Sequence, residues 1–552
     1  MRKAKTIGRP GNVWAMAALL LAPWAVLSAE AAESRLADAA QRRDRAAIAE
    51  LLKQRVDVNV PQPDGATALA WAAHWNDVEL TDRLVAAGAN PNKANDLGVT
   101  PLMLAAVNGS SATIERLLKA GAQPNAARPS GETALMLASR AGAAPAVKLL
   151  VAHGADPNLK TRTGDTALMF AAAERHPDVA RVLIEGGADV NARAQVGGKA
   201  GAGNAYASRQ MQRRADGTQE DGQPKLLYKG QAVAVAQLPK EGDGEPPRPD
   251  GGFTPLLHAA MSGDLESVKT LLASGADINQ AAGDGMTPLV VSIVKFNDAV
   301  ALHLIEKGAN VNADEAGFTP LHCAALTGQV AVATALIARG ADLNARLEMP
   351  LRMQATFVPY NPELQTGRLA QIGATPFMLA AKAANPEMLR LLAASGADTK
   401  RAADSGTTAL MLAAGLGKRQ ATDMFTFIKY YTWTEEQAIE TIKALLEMGA
   451  DINAANEFGE TALHGATYHA ALKVIQFLVE RGANLNATNW ADQTPLRVAE
   501  GHLYSGTFLR YPEASALLRK LGADPNAGTQ LGFGITNYGE QKSDAGATPP
   551  KQ

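Results

Sequence analysis

One phrase returns through this chain at a fixed period, and that period dictates how the chain can bury its apolar surface. It reads TALAWAA from Thr67, TPLMLAA from Thr100, TALMLAS from Thr133 and TALMFAA from Thr166. It returns as TPLLHAA from Thr254, TPLVVSI from Thr287, TPLHCAA from Thr319 and TPFMLAA from Thr375, then as TALMLAA from Thr408, TALHGAT from Thr461 and TPLRVAE from Thr494. The step is 33 residues from Thr67 through Thr166, and again from Thr254 to Thr287, Thr375 to Thr408 and Thr461 to Thr494. A second phrase is locked to the first. Gly-Ala falls 21 residues after the Thr in nine copies and is usually followed by Asp or Asn and then Asn, as in GADPN from Gly154 and GANVN from Gly308. A repeat of about 20–50 residues marks an array of supersecondary units. Each unit buries its face only against its neighbours, so 552 residues need no single large core.

The phrases also specify local structure. Thr followed by Pro or Ala begins a helix, because the hydroxyl caps the first turn and Pro is tolerated at the first helical position. Leu and the paired alanines form a buried stripe that lets helices approach closely. Gly ends a second helix in the left-handed conformation, and Asn or Asp suits the turn after it. Each unit therefore reads as helix, turn, antiparallel helix and outward loop. SRLADAA from Ser34, with DVN at 57–59 in register, makes a degenerate first copy, for twelve in all. Aromatic residues are only 5% of the chain, which suits small, close helices better than a large sandwich or barrel core.

Over residues 34–527 the pattern resembles the ankyrin repeat family. The resemblance implies an all-α ankyrin-repeat solenoid with β-hairpin finger loops, and protein recognition by the fingers and the adjacent concave face. One departure is systematic. The family's motif histidine survives only at His322 and His464, while Met103, Met136, Met169, Met378 and Met411 replace it in five copies and Ala70, Leu257, Val290 and Arg497 stand there in the other four. In the family that histidine bonds to the fingers; the methionines read as core.

The interruptions divide the chain into repeats at 32–191, 253–346 and 373–527. A Gly-, Pro- and charge-rich segment at 192–252, expected to be largely without fixed structure, separates the first two blocks, and only Leu226–Leu238 in it suits a strand or helix. A second segment, 347–372, carries Phe357 and Tyr360. Both leave after a second helix and return before the next Thr, so both extend finger loops. Two further insertions, near 416–436 and 502–511, fall between the two helices of a repeat. The first holds Phe425, Phe427, Tyr430, Tyr431 and Trp433, and Thr434 with Gln437 then forms a capping box. The second holds Tyr504, Phe508 and Tyr511, and Tyr468 and His469 lie near the same turn of the repeat between them. These aromatics form either one partner-binding patch or a satellite core covering that edge. Residues 528–552 read as a disordered tail.

The N-terminus reads as a signal peptide: a basic start, an apolar run Val13–Leu27, and A-x-A at 29–31 with cleavage after Ala31. Fifteen apolar residues are short of the roughly 20 that span a bilayer, so no membrane span is expected in the mature chain. Cys323 is the single cysteine, which excludes an intramolecular disulfide. A formal net charge of −2 gives no footprint for nucleic acid. The nine histidines form no metal motif, and no Walker A loop or nucleophile elbow is present, so neither cofactor nor catalytic residues are expected. The expectation is a non-catalytic, periplasmic or secreted scaffold that binds one or more proteins. The competing expectation is an accessory or maturation factor for an exported enzyme, such as a redox or peroxide-handling one.

Overall fold

The computed structural model describes residues 34–195, 225–228, 231–234, 251–348, 372–416, 433–504 and 507–528. Twelve helix pairs run through them, in two compact units. Unit 1 comprises residues up to Gln195 with Phe253–Asp277. Its pairs are α1 (Arg35–Gln41) with α2 (Arg45–Lys53), α3 (Ala68–His74) with α4 (Val78–Ala86), and α5 (Pro101–Val107) with α6 (Ser111–Lys119). They continue as α7 (Ala134–Arg140) with α8 (Ala144–Ala152), α9 (Ala167–Ala173) with α10 (Pro177–Glu185), and α11 (Pro255–Ser262) with α12 (Leu265–Ala273). Unit 2 comprises Val196–Gly252 and the chain from Ile278. Its pairs are α13 (Pro288–Val294) with α14 (Asp298–Glu306), α15 (Pro320–Thr327) with α16 (Val330–Ala338), and α17 (Pro376–Lys382) with α18 (Pro386–Ala394). The last three are α19 (Ala409–Ala413) with α20 (Glu435–Glu447), α21 (Ala462–Thr467) with α22 (Leu472–Glu480), and α23 (Pro495–Glu500) with α24 (Pro512–Lys520). Within each unit first helices pack on first helices, and second helices on second helices.

The motif Thr starts the first helix as expected. Thr67 Oγ1 accepts the Ala70 amide at 3.2 Å and Thr100 Oγ1 the Met103 amide at 3.3 Å, and this recurs along the array. Such a cap contributes about 1 kcal/mol. The second helix uses Asp or Ser for the same purpose, as when Asp77 accepts the Leu80 amide at 2.9 Å. It ends in a Schellman turn: the Gly88 amide donates to Val85 O at 3.0 Å and the Ala89 amide to Leu84 O at 2.9 Å. Gly88 has φ +89° with open space where a Cβ would stand, so backbone conformation and not crowding demands glycine there.

The core is the motif itself. Leu69, Leu102, Leu135, Leu168, Leu256, Leu289, Leu321, Phe377, Leu410, Leu463 and Leu496 occupy one position and are all buried, as are the flanking alanines. Met103, Met136, Met169, Met378 and Met411 are buried beside them, which makes the methionine stripe core. Cys323 is also buried, and desolvation pushes its thiol far above its ordinary range.

The finger loops are tighter than strands. Each is closed by a main-chain bond such as Asn95 N to Val99 O (3.1 Å) or Thr161 N to Asp165 O (2.9 Å). Among the described residues only Ala127 and Thr133 pair there as a β-bridge. Both long finger insertions leave and return at paired points: the Ala194 amide donates to Phe253 O (2.9 Å) and the Leu347 amide to Ala374 O (2.9 Å). Inside the first lies an antiparallel hairpin, β1 (Lys225–Tyr228) with β2 (Gln231–Ala234). The insertion after α23 is a second hairpin, β3 (His502–Tyr504) with β4 (Thr507–Leu509). Thr434 and Gln437 form the capping box expected at the start of α20.

Candidate functional site

Two ladders of side-chain bonds hold the edges of the array and thereby fix the face between them. On the finger edge the ladder is made by the Asn of the GADxN phrase. Asn125 Nδ2 donates to Gly154 O at 2.9 Å while its Oδ1 accepts the Asp156 amide at 2.8 Å. Asn59, Asn92, Asn158, Asn191, Asn312 and Asn453 repeat the pair of bonds. The carboxamide suits this place because it presents one donor and one acceptor side by side. The sequence shows these residues as turn formers; the inter-repeat bond is visible only once the next loop is in place.

The opposite edge, where the two helices of a repeat turn, carries the second ladder. Here a side chain of one repeat donates to a carbonyl at the end of the preceding first helix. Trp75 Nε1 reaches Gln41 O (3.2 Å), Asn108 Nδ2 reaches His74 O (2.6 Å), Ser262 Oγ reaches Ala172 O (2.8 Å) and Gln329 Nε2 reaches Ile293 O (2.7 Å). Helix ends leave such carbonyls without intrahelical partners, and these bonds satisfy them.

The aromatics singled out in the sequence fall unevenly on this frame. Phe357, Tyr360, Phe425, Phe427, Tyr430 and Tyr431 lie outside the described residues. Trp433 is half-buried just before α20, and Tyr504 and Phe508 lie in paired strands. Tyr511 is half-buried and joins the second ladder, its hydroxyl donating to Tyr468 O at 2.9 Å; His469 Nε2 lies 3.0 Å from Gly415 O in the same role. Tyr511, Tyr468 and His469 thus bond repeat to repeat.

Behind Tyr468 sits a buried polar cluster that spacing did not reveal. The Tyr468 hydroxyl donates to Glu460 Oε1 at 3.0 Å and accepts from Asn489 Nδ2 at 3.3 Å, and Asn456 Nδ2 lies 3.4 Å from Glu460 Oε2. Desolvation pushes the Glu460 carboxyl above the ordinary 4.5, against the hydrogen bonds from Tyr468 and Asn456. The folded state therefore holds this proton more tightly than the unfolded chain. Its contribution to stability is present below pH 4.5 and is lost as pH rises through the folded value. Replacing the carboxylate by a neutral amide removes that penalty. Glu460→Gln, which has no proton to lose, is expected to gain stability relative to the wild type as pH rises above 4.5. Urea titrations at pH 5 and pH 8 check this; a gap between the two proteins that stays constant with pH would contradict it.

The face between the ladders carries the variable side chains. In unit 1 the fourth residue after the motif Thr is Trp71, Leu104, Leu137, Phe170 and His258 in turn, the same place in successive repeats. Trp71 Nε1 donates to the finger residue Gln62 (2.6 Å), which turns its ring toward the fingers. Trp75 stacks on Trp71 with centroids 6.3 Å apart, and Arg43 lies over it at 5.6 Å. Arg140 lies over Phe170 at 4.3 Å. Trp75 is 40% exposed, Val107 at the end of α5 is 52% exposed, and Leu97 on a finger is 68% exposed. Among the described residues of unit 1 these are the large exposed apolar groups, Trp75 and Val107 at the ends of first helices on the turn edge and Leu97 on the finger edge. The sequence did not flag them, although one signal was present: the fold needs Leu, Ala and Thr at fixed motif offsets, whereas the offsets of Trp71 and Trp75 vary from copy to copy. Large apolar groups at free positions are what a contact surface requires. Among the described residues no three His, Cys, Asp or Glu side chains meet as a metal site would need, and no helix is long and apolar enough to cross a membrane.

Comparison with known families agrees with this construction. A three-copy ankyrin repeat model matches residues 36–128, 113–194 and 256–346, a single ankyrin repeat model matches 372–404, and a many-copy ankyrin repeat model matches 435–479. Together they take in more than half of the chain. Among curated proteins, protein phosphatase 1 regulatory subunit 27 of Mus musculus is 47% identical over 62 residues. Its Homo sapiens counterpart is 45% identical over 62 residues. The matched stretch is 11% of this chain and 40% of each relative, so the chain spans well under two thirds of the length of these relatives.

Proposed function

The chain belongs to the ankyrin repeat family, and from that premise we propose that it is an exported, periplasmic scaffold that binds proteins and does no chemistry of its own. The observation that carries the reading is the exposed apolar set Trp75, Val107 and Leu97 beside a rigid, doubly laddered frame. A preformed surface of this kind binds with little ordering cost. The aromatics at Phe425–Trp433, Tyr504, Phe508, Tyr511, Phe357 and Tyr360 are proposed as a second contact region at the insertions. Export rests on the basic and apolar pattern of residues 1–31.

A second reading is an accessory or maturation factor for an exported enzyme. It draws on the two relatives, both named as regulatory subunits of a phosphatase.

The binding surface is tested by affinity capture from the periplasm followed by titration of the recovered protein. The variant Trp75→Ala with Val107→Glu is expected to bind at least about tenfold more weakly, the loss typical of a central apolar anchor. Unchanged affinity in a folded double variant would move recognition elsewhere. Export is tested by intact mass: the mature chain should begin just after Ala31, and deleting residues 1–31 should leave the protein in the cytoplasm.

A further inference from the structure

The turn edge of unit 1 carries positive charge that the chain itself leaves unpaired. The turns 41–45, 74–78, 107–111, 140–144 and 173–177 join the two helices of the first five repeats. The second ladder sets them side by side: Trp75 Nε1 bonds Gln41 O, Asn108 Nδ2 bonds His74 O, and His176 Nε2 lies 3.1 Å from Arg140 O. These five turns hold five arginines, Arg42, Arg43, Arg45, Arg140 and Arg175, against three carboxylates, Asp44, Asp77 and Glu174. Two of the carboxylates are engaged as helix caps, Asp44 on the Ala47 amide at 3.0 Å and Asp77 on the Leu80 amide.

The arginines are neutralised unequally. Arg45 pairs with Asp77 and Glu79, and Arg140 with Glu132. Arg42, Arg43 and Arg175 are exposed and form no ion pair among the described residues.

Apolar groups lie between these charges. Trp75 and Val107 are exposed in adjacent turns, and Arg43 lies over the Trp75 ring. In unit 2, by contrast, Leu326 and Leu416 stand at the offsets of Val107 and Trp75 and are buried. There the chain covers its own apolar groups at these places; in unit 1 it does not.

We propose that the turn edge of unit 1 holds an extended acidic segment of a partner protein, with carboxylates on Arg42, Arg43 and Arg175 and an apolar side chain on Trp75 and Val107. This rests on the protein-binding reading and names the chemistry of the partner. Guanidinium groups match carboxylates in geometry as well as charge, and Arg and Trp are the residues that most often anchor an interface. Helices pack roughly 8–10 Å apart, so the four steps between five turns span about 32–40 Å, the reach of about ten to twelve extended residues. Nucleic acid fits this edge less well, because Glu79 and Glu174 lie in or beside the row and the whole chain has a formal net charge of −2.

Titration of the full chain with a labelled glutamate–serine peptide of about twelve residues, carrying one central leucine, tests the proposal against the same peptide with glutamine for glutamate. The glutamate peptide is expected to bind at least about tenfold more tightly at low salt and to lose most of that advantage at high salt. Arg42→Gln with Arg43→Gln and Arg175→Gln is expected to weaken the glutamate peptide by about tenfold and leave the glutamine peptide unchanged, whereas lysine at the three positions keeps most of the binding. Trp75→Ala is expected to weaken both peptides. Equal binding of the two peptides by the wild type would overturn the proposal. So would a glutamine triple variant that binds the glutamate peptide as the wild type does, an oligothymidylate that binds at least as tightly, or a homodimer that the triple variant dissociates. A captured partner that is lost with Trp75→Ala and Val107→Glu but binds the triple variant in full would reject the acidic segment and leave the protein-binding reading in place.

Discussion

Lowering the pH from 7 to 5 is expected to remove about 4 kcal/mol of stability from the repeats that carry His322 and His464. Both imidazoles are fully buried, and desolvation lowers them from the ordinary 6.5 to about 4, only partly opposed by main-chain hydrogen bonds. The geometry explains why the neutral ring is preferred. Nδ1 of His322 accepts the Thr319 amide at 3.1 Å, so it must be unprotonated, while Nε2 faces Ala374 O at 3.1 Å. His464 does the same with the Thr461 amide (3.2 Å) and Gln493 O (3.0 Å). Because the folded value lies below the unfolded one, the stabilisation is complete above pH 6.5 and is lost as pH falls toward 4. At pH 5 the loss is about 2 kcal/mol for each ring. The two lie in different repeats and should add.

Nature's own substitution at this position supplies the control. At Thr408 the corresponding residue is methionine, and the Met411 sulfur takes the Thr408 amide at 3.4 Å. His322→Met with His464→Met should therefore fold. The carbonyls it releases are not orphaned, since Ala374 O also accepts from Leu347 N and Gln493 O from Asn489 N. Denaturant titrations at pH 7 and 5 are expected to show a steep fall for the wild type and a much shallower one for the double variant. A double variant as acid-sensitive as the wild type would remove the histidines from the explanation.

Phe377→Ala is expected to cost about 3–5 kcal/mol, the usual range for emptying a buried aromatic site. Phe377 is fully buried and sits at the second position of α17, where the other repeats have leucine. Phe377→Leu should cost only about 1 kcal/mol, because the fold already accepts leucine at that place in its neighbours. In a repeat array the damage should also be local, since each repeat leans on its neighbours alone. Hydrogen exchange is expected to rise most in α15–α20 and least in unit 1. A loss spread evenly over both units would contradict that picture.

The sequence by itself determined the unit and its internal construction. The Thr cap, the Schellman glycine, the Leu-Ala stripe and the methionines at the histidine position could all be read, because their partners lie within one repeat or recur at one offset. The chain also showed where the interruptions fall. It did not show that Asn191 finds Gly275 across 84 residues while Asn158 finds Gly187 across 29, both making the same bond. That equivalence exists only when the insertion is looped out and the next finger is in place.

The same reason hid the second ladder. Trp75 meets Gln41 O, and Tyr511 meets Tyr468 O, through residue types that change along the array. It hid the Glu460 cluster as well, whose members come from two finger loops and a helix end. Trp71 and Trp75 were legible as residues but not as a surface, since exposure is a property of what neighbouring repeats leave uncovered. A helix cap or a core leucine is chosen by its own repeat, and sequence reports that choice. Whether an edge is bonded or open, and which side chains remain outside, is decided between repeats, where only the tertiary structure brings the partners together.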